Sequence, residues 1–110
     1  MINGSRLLER IEQLSKIGRT EDGGVTRFSY TKEEADANEL VKSYMEQAGL
    51  ETTYDSVGNL IGIKRGKTGY PTILLGSHID TVPNGGKYDG ALGVLAAIEV
   101  LHSMAEQKIE

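Results

Sequence analysis

The 110-residue sequence contains no cysteine and no tryptophan, and it has only one phenylalanine and two prolines. Without cysteine there is neither a disulfide framework nor a thiolate metal site, so a metal ion must be held by histidine, aspartate or glutamate. No apolar run approaches the roughly 18 residues that a membrane-spanning helix needs. Residues Met1 to Arg10 lack the basic and apolar regions of a signal peptide. We therefore expect a cytoplasmic protein that has no membrane partner.

The sequence also lacks an excess of positive charge. Sixteen acidic residues stand against twelve basic ones, which gives a formal net charge of -4. A surface that follows the phosphates of nucleic acid is usually basic, so we expect no nucleic-acid partner. The hydrophobic content of 38% and the charged content of 25% are typical of a folded globular protein.

Glycine, by contrast, is abundant. The fourteen glycines are nearly twice the average usage of about 7%. Nine of them lie between positions 58 and 93: Gly58, Gly62, Gly66, Gly69, Gly76, Gly85, Gly86, Gly90 and Gly93. This concentration indicates that the backbone of that segment needs unusual geometry.

Two amphipathic helices are predicted in the first half of the chain. Between Ser5 and Ile17 the apolar residues recur at spacings of three and four, and Ser5 is the predicted N-cap. Thr31 and Glu34 form a capping-box pattern that predicts the start of a second helix, which Gly49 ends. The apolar face of the second helix is predicted to comprise Ala37, Leu40, Val41, Tyr44, Met45 and Ala48.

The second half of the chain predicts strands followed by a helix. The runs Leu50–Asp55 and Leu60–Lys64 flank a tight turn, and Thr72–Gly76 has the apolar character of a central strand. Ala91–Met104 predicts a helix that is apolar on nearly all sides, which protein must cover on most of them. The sequence therefore predicts an α/β fold, a three-layer-type sandwich with a mixed sheet of three or more strands.

His78, Asp80 and Asp89 are the residues that could carry chemistry. His78 and Asp80 follow the third predicted strand, and residues two apart in extended backbone point to the same side. A carboxylate beside an imidazole fixes its tautomer, which is the arrangement found around metal-ligating histidines. Asp89 precedes the last helix and could converge with His78 on one cation. The alternatives are an ordinary hydrogen-bonded pair for His78 and Asp80, and an N-cap for Asp89.

The other histidine and the late glutamates are weaker candidates. His102 lies on the apolar last helix, and we interpret it as structural. Glu106 and Glu110 lie on or just after that helix, and we assign neither a catalytic role.

Residues Gly76 to Val94, GSHIDTVPNGGKYDGALGV, resemble the first metal-binding motif of the two-metal family that includes aminoacylases and glutamate carboxypeptidase. The Asn-Gly-Gly stretch is most similar to the hydantoinase/carbamoylase branch, which comprises N-carbamoyl-L-amino-acid hydrolases, allantoate amidohydrolases and β-ureidopropionases. Gly23–Arg27 and Gly58–Leu60 also resemble the amino-terminal region of that branch. The resemblance spans nearly the whole chain, and it favours the metal-site interpretation of the motif.

The resemblance implies a role for each of the three residues. His78 would be a ligand of one metal ion, Asp80 the catalytic carboxylate that orients His78, and Asp89 the bridge between two divalent ions, zinc or manganese. It also implies metal-assisted hydrolysis of a small-molecule ureido or amide substrate, such as an N-carbamoyl-L-amino acid or allantoate. In the family the peptide bond after the bridging aspartate is often cis, and Gly90 could accommodate that bond here.

Members of the family also have a Glu-Glu pair, further histidine ligands and a dimerisation domain. The sequence departs from the family because none of these features appears in it. We therefore expect residues 1–110 to be an amino-terminal fragment of a zinc-peptidase-like catalytic domain that is inactive alone, with partial or no metal occupancy. The alternatives are a non-catalytic binding or assembly module, and an aminoacylase or peptidase relative. An open sheet edge and the exposed flank of the last helix predict self-association.

Overall fold

The computed structural model describes residues 1–67 and 69–109, and this part of the chain contains three helices and one two-stranded sheet. Helix α1 is Gly4–Ser15 and helix α2 is Lys32–Gln47. Strands β1 (Glu51–Tyr54) and β2 (Leu60–Ile63) follow, and helix α3 is Ala91–Glu106. None of the helices in these residues is both long enough and apolar enough to cross a membrane.

Helix α1 begins earlier than predicted, because Asn3 rather than Ser5 is its N-cap. Asn3 has an extended backbone, and its side-chain oxygen accepts a hydrogen bond from the Arg6 N–H at 3.0 Å. Asparagine and serine are comparable caps. A tertiary contact favours the earlier start, since the Asn3 N–H also donates to the carboxylate of Glu99 in α3 at 3.2 Å.

Helix α2 begins where the capping pattern predicts. The Thr31 hydroxyl accepts a hydrogen bond from the Glu34 N–H at 3.3 Å, while the Glu34 carboxylate accepts one from the Tyr30 N–H. The predicted apolar face is confirmed. Four of its residues are buried, namely Ala37, Val41, Tyr44 and Ala48, and two are partly buried, namely Leu40 and Met45.

The predicted strand pair is also confirmed. β1 and β2 are antiparallel, with Glu51 opposite Ile63 and Tyr54 opposite Leu60. Asp55 holds the turn between them, because its carboxylate accepts hydrogen bonds from the N–H groups of Val57 and Asn59 at 3.0 and 2.8 Å.

The predicted third strand is wrong for the residues that the structure describes. Thr72–Gly76 forms no strand, and Ile73 and Leu74 are 85% and 88% exposed. A strand needs a neighbouring backbone to bond and a layer to cover its side chains, and residues 1–67 and 69–109 supply neither at this segment. The α/β composition stands, but these residues contain a two-stranded antiparallel sheet in place of the mixed sheet and three-layer sandwich.

The three helices and the extended segment before α3 enclose one hydrophobic core. Its buried residues are Ile11, Leu14, Ala37, Val41, Tyr44, Ala48, Leu50, Ile79, Ala91, Leu95 and Ile98. Leu95 in α3 is fully buried, whereas Leu92 and Val100 on the same helix remain 43% and 41% exposed. Helix α3 therefore buries one stripe, Ala91, Leu95, Ile98, Glu99 and Ser103, and is covered on fewer sides than predicted, since another flank faces solvent.

A buried ion pair ties α1 to α3. Two guanidinium nitrogens of Arg6 donate to the two carboxylate oxygens of Glu99, at 2.8 and 2.7 Å. The Glu99 side chain is 1% exposed, and the Ser103 hydroxyl donates a further hydrogen bond to it at 2.6 Å. This clamp holds the amino-terminal helix against the helix that begins immediately after Asp89.

Candidate metal centre

His78 lies in an extended segment, with its ring between two carboxylates. Its Nδ1 is 3.0 Å from the backbone oxygen of Asp80 and 3.3 Å from Oδ1 of the same residue. Both neighbours are hydrogen-bond acceptors, so they favour the tautomer in which Nδ1 is the donor and Nε2 keeps a lone pair. Nε2 faces Asp89, whose Oδ1 is 3.9 Å away. The structure thus brings together the three residues that the sequence singled out.

Successive side chains of the extended segment point to opposite sides, which separates the candidate ligand side chains from the side chain that packs in the core. Ile79, between His78 and Asp80, points into the core and is 9% exposed. The side chains of His78 and Asp80 point the other way and are about half exposed, at 52% and 44%. A buried isoleucine therefore anchors the segment that presents the imidazole.

Gly90 allows the start of α3 to approach His78. Its φ is +75°, in the region that residues with a Cβ rarely adopt. A Cβ built there would lie 2.4 Å from Cε1 of His78 and 2.5 Å from the His78 backbone oxygen. All peptide bonds within the described residues are trans, the Asp89–Gly90 bond included, so the cis bond that the resemblance implied is not found.

The donor set fits part of a metal centre. Imidazole nitrogen and carboxylate oxygen are ordinary ligands of zinc, each about 2.0–2.2 Å from the ion, so one ion fits between two atoms 3.9 Å apart. In the described part of the chain, however, no group of three or more histidine, cysteine, aspartate or glutamate side chains could hold a metal ion. His78 and Asp89 therefore supply fewer ligands than the three or four that a zinc site uses.

A segment before α2, Val25–Arg27, holds the loop that carries these residues. The Val25 N–H donates to the Gly85 carbonyl at 2.9 Å, and the Gly85 N–H donates to the Val25 carbonyl at 2.7 Å. The Thr81 N–H donates to the Arg27 carbonyl at 2.8 Å, and the Thr81 hydroxyl accepts from the Arg27 N–H at 2.7 Å. Sequence reasoning treated Val25–Arg27 as part of an irregular loop. Its membership of the resembling run Gly23–Arg27 was the only signal of its importance.

The remaining titratable candidates have structural partners. His102 Nδ1 accepts a hydrogen bond from Arg10 at 3.3 Å, and burial together with the nearby arginines lowers the His102 pKa. Glu106 binds the guanidinium group of Arg6 at 2.8 Å. Glu110 lies outside the described residues. Neither His102 nor Glu106 contacts the His78 cluster, which agrees with the structural interpretation of both.

Comparison with known proteins places the chain beside one class of amidases. No family model matches the sequence. An N-carbamoyl-L-amino-acid amidohydrolase of Pseudomonas sp. (strain NS671) is 50% identical over 109 residues, which are 98% of this chain and 26% of that protein. The allantoate amidohydrolase of Bacillus subtilis is 52% identical over 101 residues, 91% of this chain and 24% of that protein.

The solved structures agree. The crystal structure of an amidase of the hydantoinase/carbamoylase family from Burkholderia multivorans superposes with a TM-score of 0.94 at 34% identity, covering 99% of this chain and 27% of that one. The predicted resemblance to the hydantoinase/carbamoylase branch is thus confirmed in sequence and in structure. The chain spans about a quarter of the length of the curated relatives that it matches.

Proposed function

We propose that this chain contributes the first ligands of a metal centre in a hydrolase of carbon–nitrogen bonds. The observation that carries the proposal is the His78 ring, with Nδ1 against Asp80 and Nε2 facing Asp89. The proposed substrates are ureido compounds such as N-carbamoyl-L-amino acids or allantoate. The names of the two curated relatives support this substrate class.

Each side chain then has one task. Asp80 accepts the Nδ1 proton of His78, which fixes the ring and directs the Nε2 lone pair outward. His78 and Asp89 would hold a divalent zinc or manganese ion, and Asp89, the more exposed of the two, would be the residue shared with a second ion. Such ions, when bound, polarise a carbonyl oxygen and acidify water. We propose that the general base and the other ligands come from polypeptide outside the matched quarter, so that the chain alone is inactive.

A chimera tests this function. We expect a Pseudomonas relative whose matched segment is replaced by this chain to hydrolyse N-carbamoyl amino acids, and His78→Ala to reduce kcat at least a thousandfold. The other histidine provides the matched control, because His102→Gln removes an imidazole that contacts only structural partners. An active His78→Ala chimera would contradict the proposal, and so would hydrolysis by the 110-residue chain alone.

We further propose that the isolated chain self-associates through its exposed apolar surface. That surface consists of Ile73, Leu74 and Leu75, which are 85%, 88% and 54% exposed, together with the α3 flank formed by Leu92 and Val100. Exposed apolar side chains next to each other in sequence favour association, because burial removes their surface from water.

A further inference from the structure

A buried arginine, Arg27, connects the end of helix α1 to the segment that carries His78. The Arg27 residue is 2% exposed, and within residues 1–67 and 69–109 no acidic side chain bonds it. Its Nε donates to the Ile79 carbonyl at 2.8 Å, and its Nη1 donates to the carbonyls of Leu14 and Ile17 at 3.0 and 2.8 Å. Burial lowers the Arg27 pKa, and the negative charge of Asp80 partly offsets this.

Such a residue is costly to place in a protein interior unless its donors are bonded. An arginine side chain is almost always charged, and removing that charge from water is unfavourable. Here carbonyl dipoles provide the compensation, and the carbonyls at the carboxyl end of α1 carry partial negative charge from the helix. The guanidinium group thus bonds together the Leu14 carbonyl at the end of α1, the Ile17 carbonyl just after it, and the Ile79 carbonyl of the site loop.

The Ile79 carbonyl is the link to the candidate centre, because Ile79 lies between His78 and Asp80 in sequence. The backbone of Arg27 reinforces the same link through Thr81, whose hydroxyl accepts from the Arg27 N–H and donates to the Val25 carbonyl at 3.0 Å. The His78–Asp80 segment is therefore held in two ways: by the hydrogen bonds between Thr81 and the Arg27 backbone, and by the bond from the Arg27 side chain to the Ile79 carbonyl. The side chains of His78 and Asp80 themselves remain free for chemistry.

We infer that Arg27 is a positioning residue: it fixes the Ile79 carbonyl and thereby sets the position of His78 relative to Asp89. The catalytic consequence of this role rests on the proposed function. The rigidity of the loop does not, because it can be measured without metal. The Arg27 side chain bonds backbone carbonyls and not the side chains of His78 or Asp89. It acts by limiting the positions that His78 can adopt.

The test compares Arg27→Met and Arg27→Lys with wild type in the 110-residue chain. Methionine keeps the apolar stem and removes every donor, whereas lysine keeps the charge but cannot reach all three carbonyls. Arg19→Met is the matched control, since Arg19 binds Ser15 and Glu12 near the end of α1 and is 43% exposed. Circular dichroism identifies conditions in which wild type and the three variants are equally folded.

Amide hydrogen exchange is the first measurement. We expect protection of the Thr81 and Gly85 N–H groups to fall at least tenfold in Arg27→Met relative to the amides of α2, with Arg27→Lys intermediate and Arg19→Met unchanged. Equal loss of protection in α2 and at Thr81 would show a merely structural role and overturn the inference. Unchanged exchange at Thr81 would overturn it as well. If Arg27→Met does not fold, the Arg27→Lys chain decides by the same criterion.

Calorimetric titration with zinc alone is the second measurement. We expect Arg27→Met to bind zinc at least tenfold more weakly than wild type at equal folded fraction, while the Arg19→Met control binds as wild type does. Wild-type affinity in Arg27→Met would overturn the positioning role. Failure of the wild-type chain to bind zinc would agree with the partial or absent occupancy expected of an isolated pair of ligands, and the exchange measurement would then decide the positioning role.

Discussion

At the scale of single residues, the candidate centre depends on a close approach between His78 and the backbone at Gly90. The sequence predicted that His78, Asp80 and Asp89 would be neighbours, because alternation and helix entry are local properties of the chain. It did not predict Arg27, since an arginine in a polar loop is usually solvated. Its burial follows from the packing of α1 against the loop, which involves residues more than fifty positions apart.

Replacing Gly90 should disturb the centre more than replacing a neighbouring glycine. In Gly90→Ala the new Cβ would meet the His78 ring and backbone oxygen at 2.4–2.5 Å, at a φ of +75°. We expect a loss of about 1–3 kcal/mol in the free energy of unfolding, measured by urea denaturation, and at least tenfold weaker zinc binding. Gly86→Ala is the control, because no atom lies within 4 Å of its added Cβ. Equal behaviour of the two variants would refute the close-approach argument.

At the scale of secondary-structure elements, local signals predicted the helices and the hairpin well. The α2 cap at Thr31 and the turn between β1 and β2 depend on residues within a few positions of each other. The buried clamp between Arg6 and Glu99 escaped prediction because its partners are 93 positions apart. The third strand was predicted wrongly because its apolar pattern shows a tendency to be buried, not the presence of a partner.

The clamp makes the docking of α1 on α3 dependent on pH. The Arg6 guanidinium group lowers the pKa of Glu99 from its usual 4.5 to about 2. A pKa that is lower in the folded state stabilises the fold above about pH 4.5, and this stabilisation is lost as the pH falls towards 2. This lowering of the Glu99 pKa corresponds to about 3 kcal/mol of stability at pH 7.

Urea denaturation between pH 7 and pH 2 tests this coupling. We expect Glu99→Gln to lower the free energy of unfolding at pH 7 by about 3 kcal/mol, and the difference from wild type to vanish near pH 2. The control is Glu21→Gln, which changes an exposed loop residue and should leave the whole curve unaltered within about 0.5 kcal/mol. If the difference in the free energy of unfolding between wild type and Glu99→Gln did not change with pH, this result would contradict the assigned role of the Glu99 charge.

At the scale of the whole molecule, the hydrophobic core is shared among the three helices, Leu50 just before β1, and the segment before α3, yet an apolar run near that core is exposed. Ile79 is buried while Ile73 and Leu74, a few residues earlier, face solvent. The described residues thus bury Ile79 and leave the apolar run Ile73–Leu75 uncovered. This contrast is the physical basis of the proposed self-association.

Sedimentation velocity tests whether that surface associates. We expect wild-type chain to form dimers or larger species as its concentration rises, and Leu74→Asp to shift the distribution towards monomer, because a charge opposes burial. Leu8→Asp is the control, since Leu8 is 60% exposed on α1, in a different element from the apolar run. A well-folded wild-type monomer at the highest concentration measured would contradict the proposal.

The sequence by itself determined the local features: the absence of thiolate chemistry, the helix α2 cap, the hairpin, and the motif from Gly76 to Val94. These follow from residue type and short spacing, which fix backbone preference without reference to distant residues. Only the tertiary structure decided that Asn3 caps α1 and that Arg27 braces the site loop. It also left the third predicted strand unformed. The reason is physical: burial and hydrogen bonding between distant segments depend on which surfaces meet, and a one-dimensional pattern does not state this.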